Sequence, residues 1–376
     1  MTLSRKPAQN EARVVALYSQ REREQRHEQA SHTELARRLA RLQQLEFVGE
    51  YDATQDYRAG VYLVPTDTIV GLDNARRLGI ANEEDLFGGV VPQRFVSTKA
   101  ITHPLAGPDA CAPPGWSHEF GRRVHDAVLP GISAFSVVDA QHAGARLLQS
   151  GPIRIKPVLA TAGRGQRVVH TPAALSEALR GLDIDEISAC GLVLERNLEN
   201  VTTHSVGQVR VAGLTATYYG TQGLTTDHSG ETVYGGSTLT VARGGFDALL
   251  ALELPHAAHQ AVGQAQIYDA AASDCFSGFF ASRRNYDIAE GNDAQGRHHC
   301  GVLEQSWRIG GASSAEVLAL EAFSRDPSLR YVCASSLEYY DEAREPPADA
   351  LVLYRGEDDE VGFITKCAYI ASYGNT

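Results

Sequence analysis

Two carboxylates and an arginine in the C-terminal third carry the densest chemistry in the sequence. Asp287 and Glu304 lie 17 residues apart, on either side of the turn-forming Gly291-Asn292-Asp293. If both flanks are strands, the turn folds them into a hairpin and brings the carboxylates together. Such a pair with one open side suits Mg²⁺, which takes few protein oxygens and completes its shell with water and phosphate. Arg308 follows Glu304 by four residues and could clamp a phosphoryl group through two N–H bonds. Gly310 and Gly311 leave backbone N–H groups open to an anion. A strand-surface carboxylate pair beside a structural arginine would give the same pattern.

A second group lies upstream. Lys156-Pro157 ends an apolar stretch, and a small-residue loop follows from 160 to 166 with Gly163 and Gly165. Glycines let a backbone approach a polyanion, and a lysine supplies a compact charge for phosphate oxygens. A plain turn reads the same way, and the loop is neither a Walker loop nor a Rossmann fingerprint. A third group, residues 191–211, runs an apolar strand into Glu195 and resumes as a strand with His204, Gln208 and Arg210. A link between two strands can receive a base edge, or can be surface loop. The sequence has 34 basic residues, of which only Lys6, Lys99, Lys156 and Lys366 are lysine. Arginine is the default cation, so the retained lysines merit inspection.

Elements must position these groups. Residues 13–18 read as a strand, 33–45 as an amphipathic helix with Leu35, Leu39, Leu42 and Leu45 on one face and Ser31 or Thr33 as cap, and 47–51 and 60–65 as strands. That order implies an open parallel α/β unit. Strands are expected at 132–138, 153–158, 167–169, 192–195 and 204–212, with helices near 139–149 and 173–180. Residues 213–245, rich in Gly, Thr and Tyr, read as a hairpin or a long loop. Helices follow at 246–252, 256–272 and 315–323, and the end of the chain carries two strands. His298-His299-Cys300 alternate faces on a strand and make a poor metal set. The run Glu357 to Glu360 reads as a solvated acidic turn.

The 376 residues suffice for two or three cored units. Net charge is −12, which opposes nucleic acid and anionic membranes as partners. No run of ~18 apolar residues and no signal-peptide core occurs, so a cytoplasmic location is expected. The six cysteines are scattered without a C-x-x-C pair and read as reduced.

Taken in order, these segments resemble the ATP-grasp superfamily over about residues 12–325, nearest to bacterial biotin-carboxylase-like and carboxylate–amine-ligase-like members. RFVSTKAITHPL resembles the segment of the first ATP lysine, at Lys99; IRIKPVLATAGRGQRVV resembles the second, at Lys156, with the glycine loop through Gly163 and Gly165. LVLERNLEN resembles the hinge, which implies Glu195 toward the adenine amino group and Leu198 in the adenine slot, and ERNLENVTTHSVGQV makes His204 a nucleotide neighbour. GVLEQSWRIGGAS resembles the metal strand: Glu304 and Ser306 as ligands, Asp287 as the other carboxylate, and Arg308 with Lys156 as catalytic cations. Ser306 departs from the Asn usual there, and no biotin-carrier segment is present.

The resemblance implies an α/β protein (α+β in its core): an N-terminal pre-ATP-grasp domain (1–95), a lid subdomain (96–198), a catalytic core (199–325) and a strand-rich extension (326–376). It implies ATP and Mg²⁺ as cofactors. The implied reaction forms an acyl phosphate on a small carboxylate, then transfers the acyl group to an amine or similar nucleophile. Loop 160–166 would close as a lid, and a homodimer is compatible with the family. A phosphoryl transferase acting on a hydroxyl, or a non-catalytic nucleotide-binding regulator, are the alternatives.

Overall fold

The first sheet is the parallel unit that the strand–helix–strand order implies. In the computed structural model, which describes residues 12–21, 24–159 and 165–374, Val14–Tyr18 lies between Glu46–Glu50 and Val61–Pro65, parallel to both. Helix Arg26–Gln43 buries Leu35, Ala36, Leu39 and Ala40. It starts a full turn and more before the expected residue 33, so neither Ser31 nor Thr33 caps it; the Ser31 hydroxyl donates to the His27 carbonyl inside the helix. The first turn is capped from a distance instead. Asp358 Oδ2 accepts from the His27 N–H at 3.2 Å and lies 3.0 Å from His27 Nδ1. Asp358 is therefore buried, and the acidic run is not a freely solvated turn. Burial pushes its carboxyl up, but the Glu360 N–H and His27 outweigh that and hold it at about 2.

The second sheet is four-stranded and antiparallel, in the order Gly131–Ala134, Leu192–Arg196, Ile153–Pro157, Arg167–Val169. Helices Val137–Leu147, Pro172–Arg180 and Ile184–Cys190 accompany it, each with a side-chain cap, from Ser136, Thr171 and Asp183 respectively. Ile153, Ile155, Leu175, Leu179, Leu192 and Leu194 form its core.

The largest element is one eight-stranded antiparallel sheet. Its order is His298–Ser306, Arg283–Asn292, Glu199–Val211, Leu214–Thr226, Thr232–Arg243, Tyr331–Tyr339, Gly362–Gly374, Leu351–Asp358. The segment 213–245 is thus a long hairpin rather than a loop. The expected boundary at 325 also falls inside this sheet, because the last three strands continue it edge to edge. Val209, Tyr218, Val241 and Val332 pack one face against helix Ser313–Arg325, in a core shared with helix Arg26–Gln43. The opposite face, with Val206, Tyr219, Tyr286 and Ile288, is covered by helix His256–Cys275. No helix among the described residues is long and apolar enough to cross a membrane.

Candidate nucleotide and metal site

Asp287 and Glu304 are direct register partners on neighbouring antiparallel strands, so their side chains leave the same face of the large sheet. Asp287 Oδ1 accepts from Gln222 Nε2 at 2.8 Å, from Asn285 Nδ2 at 2.9 Å and from the Ser205 hydroxyl at 3.4 Å. All three donors are neutral. Removal from water and the facing Glu304 charge push the Asp287 carboxyl above its usual range. Glu304 also loses water, but Lys99 Nζ lies 2.9 Å from its Oε2, and Lys156 and Arg308 add to the field, so its carboxyl sits below the usual range. Lys99 is 6% exposed, at the start of a short 3-10 turn capped by the Thr98 hydroxyl.

Lys156, near the end of strand Ile153–Pro157, forms a buried ion pair with Glu195 Oε1. Glu195 Oε2 lies 3.2 Å from His103 Nε2. Burial raises the Glu195 carboxyl, and Lys156 and His103 together overcome that and draw it down to about 2. Both carboxylate oxygens are thus taken, so the side chain is turned inward rather than toward an adenine amino group. Gly131 is the register partner of Glu195, and a Cβ there would come within 2.7 Å of the His103 ring. The sequence alone did not point to His103; the glycine opposite Glu195 is the trace it leaves there.

Other expected site residues are placed differently. His204 leaves the opposite face of the sheet from Ser205 and Asp287. Its Nε2 lies 2.8 Å from Glu290 and its Nδ1 3.0 Å from the Tyr219 hydroxyl, so it is a satisfied interior histidine rather than a residue facing the carboxylate pair. Leu198 is buried with Leu129 and Ala289. Gly165 has φ +70°, in the left-handed region where glycine is at home. Gly163 lies outside the described residues. Arg308 is partly exposed, 3.5 Å from Asp67 of the N-terminal unit, and its guanidinium donates to the Ile309 carbonyl.

Ser306 faces a cation already in place. Arg283, 1% exposed, directs Nη1 to the Ser306 hydroxyl at 3.2 Å and to the carbonyls of Ser306 and Arg308 at 3.0 and 2.7 Å. Glu316 binds the rest of the guanidinium at 2.7 and 3.0 Å. A divalent cation on the Ser306 oxygen would stand against that guanidinium in a site with little water to screen it. The carboxylate pair fits one Mg²⁺: it offers hard oxygens, lacks a divalent countercharge, and leaves Asp287 with only neutral donors. Ser306 does not fit the role of ligand to a second. Among the described residues no group of three or more His, Cys, Asp or Glu side chains is arranged to hold a metal by itself, so the remaining ligands would be phosphate and water.

The family model described as "Protein of unknown function (DUF3182)" matches residues 14–368. No curated protein matches the chain. Among solved structures, biotin carboxylase from Campylobacter jejuni, in a β-γ-ATP complex, is 12% identical with a TM-score of 0.50, covering 95% of this chain and 87% of that one. Carboxyaminoimidazole ribonucleotide synthase from Aspergillus clavatus, complexed with ATP, is 10% identical with a TM-score of 0.50, covering 96% and 94%. The fold is the ATP-grasp fold.

Proposed function

The chain belongs to the DUF3182 family and has the ATP-grasp fold, and from that premise we propose that it is an ATP-dependent ligase acting on a small carboxylate. One observation carries the reading. The two scarce lysines Lys99 and Lys156 come from separate parts of the chain: Lys99 pairs with Glu304, which faces Asp287, and Lys156, paired with Glu195, adds to the field at Glu304. That arrangement is a cation-rich rim around a two-carboxylate seat, the layout that Mg²⁺ and polyphosphate need.

Mg-ATP, when bound, supplies the γ-phosphoryl group that a substrate carboxylate accepts as an acyl phosphate with ADP leaving, and that an amine then displaces as inorganic phosphate, losing its proton. Asp287 and Glu304 would hold a single cation, with Asn285, Gln222 and Ser205 fixing the Asp287 rotamer. Lys99, which pairs with Glu304, and Lys156, which pairs with Glu195, would bind phosphate oxygens. Arg308 would stabilise charge on the transferred phosphoryl group, and Arg283 fixes the backbone that carries it. No protein nucleophile is required; the residues position and stabilise charge.

The test is ADP and phosphate release with Mg-ATP and paired carboxylates and amines. Glu304→Gln should lower turnover roughly 10²–10³-fold. Phosphate retained on the product would instead make the protein a phosphoryl transferase, and binding without turnover would make it a nucleotide sensor.

A further inference from the structure

The face of the sheet that carries Asp287 and Glu304 stays polar toward the other edge. Gln222 faces Ser237, and Ser237 faces Ser336, each in register across the strands. The Tyr234 hydroxyl joins them, 2.7 Å from Ser237 Oγ and 3.2 Å from Ser336 Oγ. Ser336 is two residues before Glu338 on the same strand and so shares its face, and burial raises the Tyr234 pKa, with the charges of Glu338 and Asp287 adding to it. Glu338 is the register partner of Lys366, with 3.2 Å between Oε1 and Nζ and only 17% and 15% of the side chains exposed.

The residue types at this far end are telling. All three lysines in the described residues pair with a glutamate: Lys99 with Glu304, Lys156 with Glu195, Lys366 with Glu338. Structural pairs elsewhere use arginine, as in Arg38–Glu321 and Arg355–Glu345. The first two lysine pairs are the ones that the proposed reaction opens to its ligands. We propose that Lys366 and Glu338 are the remote end of the acceptor subsite and bind an α-amino-acid end group, its carboxylate on Lys366 and its ammonium on Glu338. This rests on the ligase reading above.

Distance sets the rest of the acceptor. The strand of Lys366 is five places from that of Asp287 in the sheet, about 24 Å at ~4.8 Å per strand, and Lys366 lies four residues along its strand from Ile370, the position level with Asp287, so the two are about 27 Å apart. Lysine reach at one end and cation plus phosphate at the other leave roughly 13–18 Å, about four or five extended residues at ~3.4 Å each. The acceptor is thus an elongated molecule, with the reacting carboxylate at the Mg²⁺ end, amides or hydroxyls over Gln222 and Tyr234, and an amino-acid group at the other end.

The probe is γ-glutamyl-alanyl-glycine, titrated calorimetrically into the full chain with and without Mg-ADP. The tripeptide should bind, and its Nα-acetyl derivative should bind at least about tenfold more weakly, the loss of one charge-assisted hydrogen bond. Lys366→Met and Glu338→Gln should each weaken the tripeptide similarly, Lys366→Arg less, while Mg-ADP titrates as in the unsubstituted protein. Equal tripeptide affinity in both variants, or no tripeptide binding by protein that takes up Mg-ADP, would overturn the subsite. Tripeptide binding that depends on Lys366 without any Mg-ADP binding would keep the subsite and overturn the nucleotide reading.

Discussion

Asp287 and Glu304 face each other across two strands, yet their carboxyl groups are pushed in opposite directions. Glu304 has the Lys99 ammonium at 2.9 Å; Asp287 has only neutral hydrogen-bond donors. No cation is bonded to Asp287 itself, and the Arg283 charge that reaches it is already paired with Glu316. A bound divalent cation would supply the missing countercharge, which makes the seat asymmetric and ready for one ion.

Asp287→Asn should raise the melting temperature of the cation-free protein near neutral pH. A carboxyl whose folded pKa is raised opposes folding wherever it is ionised, and its neutral isostere removes that opposition. Asn keeps the Oδ1 acceptor for Gln222 and Asn285. The gain should vanish below the ordinary aspartate range, where Asp287 is protonated both folded and unfolded. The same variant should lose all stabilisation by Mn²⁺ with ADP. Thermal melts at several pH values check both; a fall in melting temperature at neutral pH would count against the assignment.

Glu195 should dominate acid sensitivity in the four-stranded sheet. Its folded carboxyl sits at about 2, below the unfolded value, so its stabilisation is present above the unfolded pKa and is lost as pH falls through that window toward 2. Glu195→Gln should flatten this acid limb. At neutral pH it should destabilise by about 3–5 kcal/mol, because Lys156 is left buried without its counterion. Urea melts across pH 2–7 measure both; a wild-type acid limb in the variant would remove Glu195 from this role.

One Mn²⁺ should bind per chain in the presence of ADP, and Ser306→Ala should change neither the number nor the affinity. Arg283 occupies the Ser306 hydroxyl and disfavours a cation there. Electron paramagnetic resonance titration reads the stoichiometry directly, and two ions per chain, one lost in Ser306→Ala, would restore serine as a ligand.

Gly131→Ala should displace the His103 ring, since the added Cβ would fall 2.7 Å from a ring that is wholly buried. Overpacking of this kind costs about 1–3 kcal/mol. Because His103 holds Glu195, and Glu195 holds Lys156, ADP affinity should fall alongside stability. Unchanged ADP affinity in a destabilised variant would confine His103 to packing.

The sequence made the site's strands legible because their chemistry is local: a turn between Asp287 and Glu304, a lysine before a glycine loop, an apolar strand into Glu195. The parallel N-terminal unit was legible from periodicity. What escaped was set by distant pairing. Asp358 caps a helix more than 300 residues upstream, so the helix start at Arg26 had no local cap to announce it. The hairpin 214–243 is long and polar on one face, a composition that also suits a loop. His204 and Ser205 are adjacent, and only the sheet's register decides which of them faces Asp287. Arg283 and Glu316 come together through the packing of helix Ser313–Arg325, which spacing does not reveal.

The central claim is that Lys156 and the carboxylate pair form a nucleotide–metal site. It is tested most directly by calorimetric titration with ADP, with and without Mg²⁺, of the unsubstituted protein and of Lys156→Met, which keeps the volume of the side chain. Binding that strengthens with Mg²⁺ and falls at least about tenfold in the variant is the predicted result. Absence of ADP binding in the unsubstituted protein, or affinity indifferent to both Mg²⁺ and Lys156, would contradict it.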